Sequence, residues 1–168
     1  THNEKMLLAR ALMSANGFLA RAGEFVEANR LFEESSEILR SVSDTEYLSN
    51  VLIAHGKVLC VMGKFSLAHE KIGEGIQLAI KDKNDWVLGL GYVNHGYVFG
   101  QEGNYTRAHE LIQSGLSIYK EIKNLHGVAF ALNTLGPILI QLERFDEARE
   151  SLEESLALGI QFHDRWGM

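Results

Sequence analysis

Phe25, Phe65, Tyr105 and Phe145 stand forty residues apart, and this spacing limits what the chain can fold into more than any other feature. Ala28, Ala68, Ala108 and Ala148 keep the same register, as do Gly23, Gly63 and Gly103, and so do Gly56, Gly96 and Gly136. Self-similarity at one fixed period of this size marks an array of supersecondary units stacked on one another.

Each unit carries two apolar patterns of helical period split by a short breaker, for example Leu48 to Met62, then Gly63-Lys64, then Phe65 to Ile80. The unit is therefore an antiparallel helical hairpin. Glycine after the first helix suits a left-handed C′ position, where a Cβ is strained. Polar clusters such as Ser43-Asp44-Thr45-Glu46 and Asp82-Lys83-Asn84-Asp85 end one hairpin and open the next, and Ser43 with Glu46 has capping-box spacing. Glu143 breaks the glycine column, so the last turn needs another cap or carries strain. The glycine and alanine columns let helix backbones approach. Leu19/Leu59/Phe99/Leu139 and Phe32/Ile72/Ile112/Leu152 fill the space opposite. A lone hairpin cannot bury these faces, so neighbours must stack and the core must run along the array.

The expected organisation is one all-α array over residues 1–168, with repeats at about 5–43, 44–83, 84–123 and 124–163 and a fifth starting at 164–168. Pro137 falls inside a first helix, where its ring displaces the Asn133 carbonyl, so a bend is expected there.

Composition sets limits on function. The hydrophobic share of 46% and charged share of 23% suit a globular chain with a continuous core. A net charge of −6 and the lack of any basic run argue against direct nucleic-acid binding. The apolar stretches fall short of the roughly 20 residues of a membrane helix, so no membrane insertion is expected. Cys60 is the single cysteine, which rules out an internal disulfide and a cysteine-based metal site and suits a cytoplasmic location. The chain opens on Thr1 with no signal-peptide pattern, so a chain processed or cut from something longer is expected.

The columns resemble the tetratricopeptide pattern. Tyr92-x-x-His95-Gly96-x-x-Phe99 precedes Tyr105-x-x-Ala108-x-x-x-Ile112, and Leu132-x-x-Leu135-Gly136-x-x-Leu139 precedes Phe145-x-x-Ala148-x-x-x-Leu152. The second unit matches through Leu52, His55, Gly56, Leu59, Phe65, Ala68 and Ile72. The first matches through Leu12, Leu19, Phe25, Ala28 and Phe32, with Asn16 at the glycine position. The resemblance implies a right-handed α-solenoid. The period of forty exceeds the usual thirty-four and the closing proline is absent, which points to longer helices and a longer link between hairpins. Forty-residue repeats of this kind resemble those of kinesin light chains, of polarity scaffolds and of large bacterial signal-responsive transcription activators. Glu153-Glu154-Ser155-Leu156-Ala157-Leu158 followed by Asp164-Arg165-Trp166-Gly167 is similar to the bacterial group.

The family's groove is lined by one face of each first helix. That face transfers to Arg10, Met13 and Gly17; Asn50, Ile53 and Lys57; Leu90, Val93 and Tyr97; and Phe130, Asn133 and Pro137, flanked by Asn94, Gln101 and Gln141. Leu90 and Phe130 suit packing between hairpins as well as ligand contact. The binding candidates are therefore Asn50, Ile53, Lys57, Val93, Asn94, Tyr97, Gln101, Asn133 and Gln141. Their mixture of apolar groups, amides and one lysine suits a protein or peptide partner. The Lys, Asn and Arg set with which related groups hold chaperone C-terminal carboxylates is missing. The resemblance implies a scaffold of a larger regulatory protein, or alternatively an effector- or signal-peptide-sensing module of a bacterial transcription regulator.

No enzyme, metal or cofactor is expected. His55 and His95 share a column, as do His69 and His109. Equivalent residues on stacked helices, however, sit roughly 8–10 Å apart, too far to share a zinc ion held at about 2.1 Å. His69-Glu70 and His109-Glu110 lack the second histidine of a zinc-protease motif, and no phosphate-binding glycine loop or nucleophile elbow occurs. The last complete hairpin should expose Leu152, Leu156 and Ile160, each leaving about 1.5–3 kcal/mol of burial unrealised. Either the natural protein continues past this face or a second copy packs on it, and self-association of the 168-residue chain through that C-terminal face is expected.

Overall fold

The computed structural model describes residues 1–166, with the side chains at 2, 16–18, 20, 21 and 163–166 left undescribed. Asn16, Gly17 and the fifth repeat expected at 164–168 thus fall, wholly or in their side chains, outside the described residues. The described residues form eight α-helices: α1 (His2–Ala22), α2 (Phe25–Ser41), α3 (Thr45–Val61), α4 (Phe65–Lys81), α5 (Asp85–Gln101), α6 (Tyr105–Glu121), α7 (Leu125–Gln141) and α8 (Phe145–Trp166). The fold class is all-α, as the periodicity requires.

From α2 to α7 every helix is 17 residues long, and three residues separate each from the next. The forty-residue period is therefore two equal halves of twenty. Longer helices account for it. The longer link expected between hairpins is not there, since 42–44 is no longer than 62–64 within a hairpin.

All the links close in the same way. The amides of Glu24, Asp44, Lys64, Asn84, Asn104, Asn124 and Arg144 each reach back to the carbonyl five residues earlier, at 2.9–3.1 Å. This is the Schellman arrangement, which satisfies carbonyls orphaned at a helix end and places the preceding residue in the left-handed region. Gly63 (φ 72°) and Gly103 (φ 83°) occupy it without strain. Between hairpins the same position falls to Ser43, Lys83 and Lys123, and in the last hairpin to Glu143, all at φ 53–59°. The strain foreseen for Glu143 is present, and its three inter-hairpin counterparts share it.

The following residue caps the next helix. Side-chain oxygens of Asp44, Asn84, Asn104 and Asn124 accept from the amides of Tyr47, Val87, Arg107 and Gly127 at 2.8–3.2 Å. The cap of α3 is thus Asp44 rather than Ser43, and the expected Ser43–Glu46 capping box gives way to the left-handed φ of Ser43 (57°). α7 continues as one helix through Pro137, whose missing N–H removes one bond from the ladder.

Contacts divide the chain into two compact units, Thr1–Val87 and Leu88–Met168. In the first, α1 packs on α2, α2 on α3, and α3 on α4. Its core gathers Ala9, Ala28, Phe32, Leu39, Leu48, Val51, Leu52 and Val58. In the second, α6 packs on α7 and α7 on α8. Its core runs from Val93 through Ala108, Ile112, Leu116 and Tyr119 to Leu132, Leu135, Leu139 and Ala148. Gly96 shows why small residues hold their columns: a Cβ there would lie 2.6 Å from Ile112 Cγ1 and 2.8 Å from the Ala108 carbonyl oxygen. Among the described residues, no helix is long and apolar enough to cross a membrane.

Candidate functional site

In the first unit, the first helices and the links that start them frame two open depressions. One, of about 250 Å³, is lined by Met13 of α1, Glu46, Tyr47 and Asn50 of α3, and Trp86 in the first turn of α5. The other, of about 430 Å³, is lined by Thr45, Glu46, Asp82, Lys83, Asn84 and Asp85. Glu46 belongs to both.

Local folding sets these side chains. Asp44 caps α3, which fixes Glu46 and Tyr47 in its first turn, and Asn50 follows on the same face, donating Nδ2 to the Glu46 carbonyl at 3.3 Å. Asn84 caps α5 through Oδ1 and donates Nδ2 to Glu46 Oε1 at 3.4 Å, so the link before α5 is tied to the start of α3. Trp86 is left 46% exposed. The Arg10 guanidinium lies 4.2 Å above the Tyr47 ring centroid, a cation–π contact that steadies the ring from the α1 side.

A third depression lies between α2, α3 and α4, lined by Glu33, Ser36, Glu37, Arg40, Leu52, His55 and Lys71. Arg40 pairs with Glu74 at 2.6 Å and Lys71 with Glu70 at 3.2 Å, so its cations are engaged within the protein. Burial pushes the His55 imidazole down to about 4, which leaves it neutral.

The nine groove candidates separate into two sets. Ile53 and Val93 are fully buried, Ile53 against Gly75 and Val93 against Gly115, so neither presents a surface to a ligand as expected. Asn94 is also buried, its Nδ2 turned back to the Leu90 carbonyl at 2.8 Å. Asn50 and Tyr97 are half-buried, while Lys57, Gln101, Asn133 and Gln141 are exposed. Asn50 is the candidate that lines a depression described above. Glu46, Tyr47, Asp85 and Trp86 were not among the candidates, although a tryptophan just after a helix start was a signal on which to place a site.

In the second unit, Arg144 donates to His109 Nε2 at 3.0 Å and pairs with Glu147 at 2.5 Å. Burial, then the adjacent Arg144 charge, hold the His109 imidazole below its usual range. Among the described residues, no three His, Cys, Asp or Glu side chains come together as metal ligands would.

Residues 88–160 match the tetratricopeptide repeat family. The crystal structure of BtubC (BKLC) from P. vanneervenii superposes with a TM-score of 0.75 at 14% identity, over 95% of this chain and 66% of that one. This chain thus spans just under two thirds of that protein's length, and at this identity the likeness shows the fold. No curated protein sequence matches it.

Proposed function

We propose that the chain is a protein- or peptide-binding scaffold. The observation that carries this reading is the open depression around Tyr47, Asn50 and Trp86, which offers aromatic surface beside an amide and a carboxylate on a rigid helical frame. Tetratricopeptide repeats generally serve protein partners, and the match over 88–160 supports the same role here. Several modest contacts along a rigid frame add up to specific binding without any catalytic group. The openness of these depressions favours extended partners over an enclosed small effector, which sets the sensor reading second. The forty-residue repeat type supports a regulatory protein as the setting.

The test is capture of partners by the purified protein, in parallel with an Asn50→Ala/Trp86→Ala variant and a Tyr97→Ala/Asn133→Ala variant, each checked for native helicity. A partner kept by the wild type and lost by one folded variant places the surface. Equal retention by all three overturns a site on these first helices.

Self-association is a second use, favoured by one column. Ser36, Ile76 and Leu116 are 5–8% exposed, whereas Leu156, next in the same register, is 65% exposed, with Ile160 also in solvent. Another copy of the chain, or a further hairpin of a longer array, covering this face of α8 would bury both.

A further inference from the structure

We infer that the two depressions sharing Glu46 form one bipartite site for a peptide segment that sets a large apolar side chain beside a cationic one. The inference rests on the peptide-binding reading above and names the ligand chemistry.

The first compartment is apolar. Met13, Tyr47 and Trp86 line it, and Trp86 keeps nearly half its surface in water. An indole left open beside a thioether and a phenol ring is surface that an apolar side chain of a ligand would cover. The second compartment is polar and carries three carboxylates, Glu46, Asp82 and Asp85, against one cation, Lys83. Several acids elsewhere are engaged: Glu27 and Glu34 by Arg30, Glu74 by Arg40, Glu110 by Arg107 and Glu147 by Arg144. Among the described residues, no ion pair engages Glu46, Asp82 or Asp85. A lysine or arginine of a ligand would supply the missing charge.

The compartments adjoin, because Glu46 lines both and Asp85 and Trp86 are consecutive. Arg10 fixes the order of the two side chains. Its guanidinium sits over Tyr47, at the apolar compartment, so like-charge repulsion sends the ligand's cation to the Asp82–Asp85 end. The chain's net charge of −6 also favours encounter with a basic segment.

The experiment follows Trp86 fluorescence in a Trp166→Phe background, where Trp86 is the remaining indole. Three short synthetic peptides in a Gly-Ser background serve as probes, carrying Leu-Lys, Leu-Glu or Ser-Lys pairs. The Leu-Lys peptide should bind saturably and about fivefold or more tighter than either of the others. Its advantage over Leu-Glu should shrink in ~1 M NaCl and in an Asp82→Asn/Asp85→Asn variant that retains native circular dichroism. Equal or tighter binding of the Leu-Glu peptide overturns the charge assignment and leaves peptide binding standing. Equal binding of Ser-Lys overturns the apolar compartment. If no peptide shifts Trp86, the bipartite site is wrong, and the capture experiment decides the scaffold reading separately.

Discussion

His55 Nε2 donates to Asn29 Oδ1 at 2.9 Å, joining α3 to α2 beneath a surface that leaves the imidazole 2% exposed. The ring stacks on Phe32 at 5.4 Å between centroids, and Asn29 is oriented in turn by donating Nδ2 to Glu33 at 3.1 Å. Burial holds the imidazole at about 4, below its ordinary 6.5. Between those values the unfolded chain binds a proton that the folded chain refuses, so stability rises with pH across the window and falls on acidification. Urea unfolding should show a loss on the order of 2 kcal/mol from pH 7 to pH 4.5. Much of that slope should vanish in His55→Leu, since Leu135 fills the corresponding buried place in its own hairpin. An unchanged slope in the variant would assign the effect to other groups.

Gly96→Ala should destabilise the second unit by roughly 2–3 kcal/mol, because the new methyl meets the Ala108 carbonyl oxygen as well as Ile112. A side chain can turn away. Backbone oxygen in a helix cannot. Thermal or urea unfolding of the variant measures this directly, and a loss below 0.5 kcal/mol would mean that α5 and α6 separate easily.

Glu143→Gly should stabilise the α7–α8 link by about 1 kcal/mol, since a non-glycine residue in the left-handed region is strained by about that amount. A lower unfolding midpoint in the variant would show that the Glu143 side chain contributes more than its backbone costs.

Asn124→Ala should cost about 1 kcal/mol, as the Gly127 amide loses its 2.8 Å acceptor at the start of α7. Asn124→Asp keeps the acceptor and should hold the wild-type midpoint. Failure of the aspartate to rescue would implicate something other than capping.

Leu156→Glu should leave the monomer's stability within about 0.5 kcal/mol, because the side chain is largely in water already. If the α8 face associates, sedimentation equilibrium should show the wild type's concentration-dependent mass rise disappearing in the variant. A wild type that stays monomeric at high concentration removes self-association from the account.

The hairpins were legible because their cause is periodic. Gly63 and Gly103 mark the turns and Gly56 and Gly96 the close approaches, and one sequence repeats both signals often enough to be read without a partner. Residues inside a helix face were less legible. Ile53 and Val93 occupy positions that helical spacing alone offers to a ligand, but each fills the space opposite a glycine of the neighbouring helix, a pairing that depends on three-dimensional register. The other residues lining the depression beside Asn50 were missed for a related reason. The helices begin early, at Thr45 and Asp85, so Glu46, Tyr47 and Trp86 stand a half-turn or more ahead of the strip transferred from shorter repeats.

The equal twenty-residue halves also bear on how the chain reaches its fold. Within each unit, the packed pairs are neighbours in sequence, joined by a link of two or three residues that locks the moment its helix end forms. No distant strand must be found and no long loop closed before contacts repay the lost chain entropy. Within each unit, nucleation is therefore open to any packed pair, with growth one helix at a time. Refolding should be fast and only weakly sensitive to which hairpin a mutation weakens.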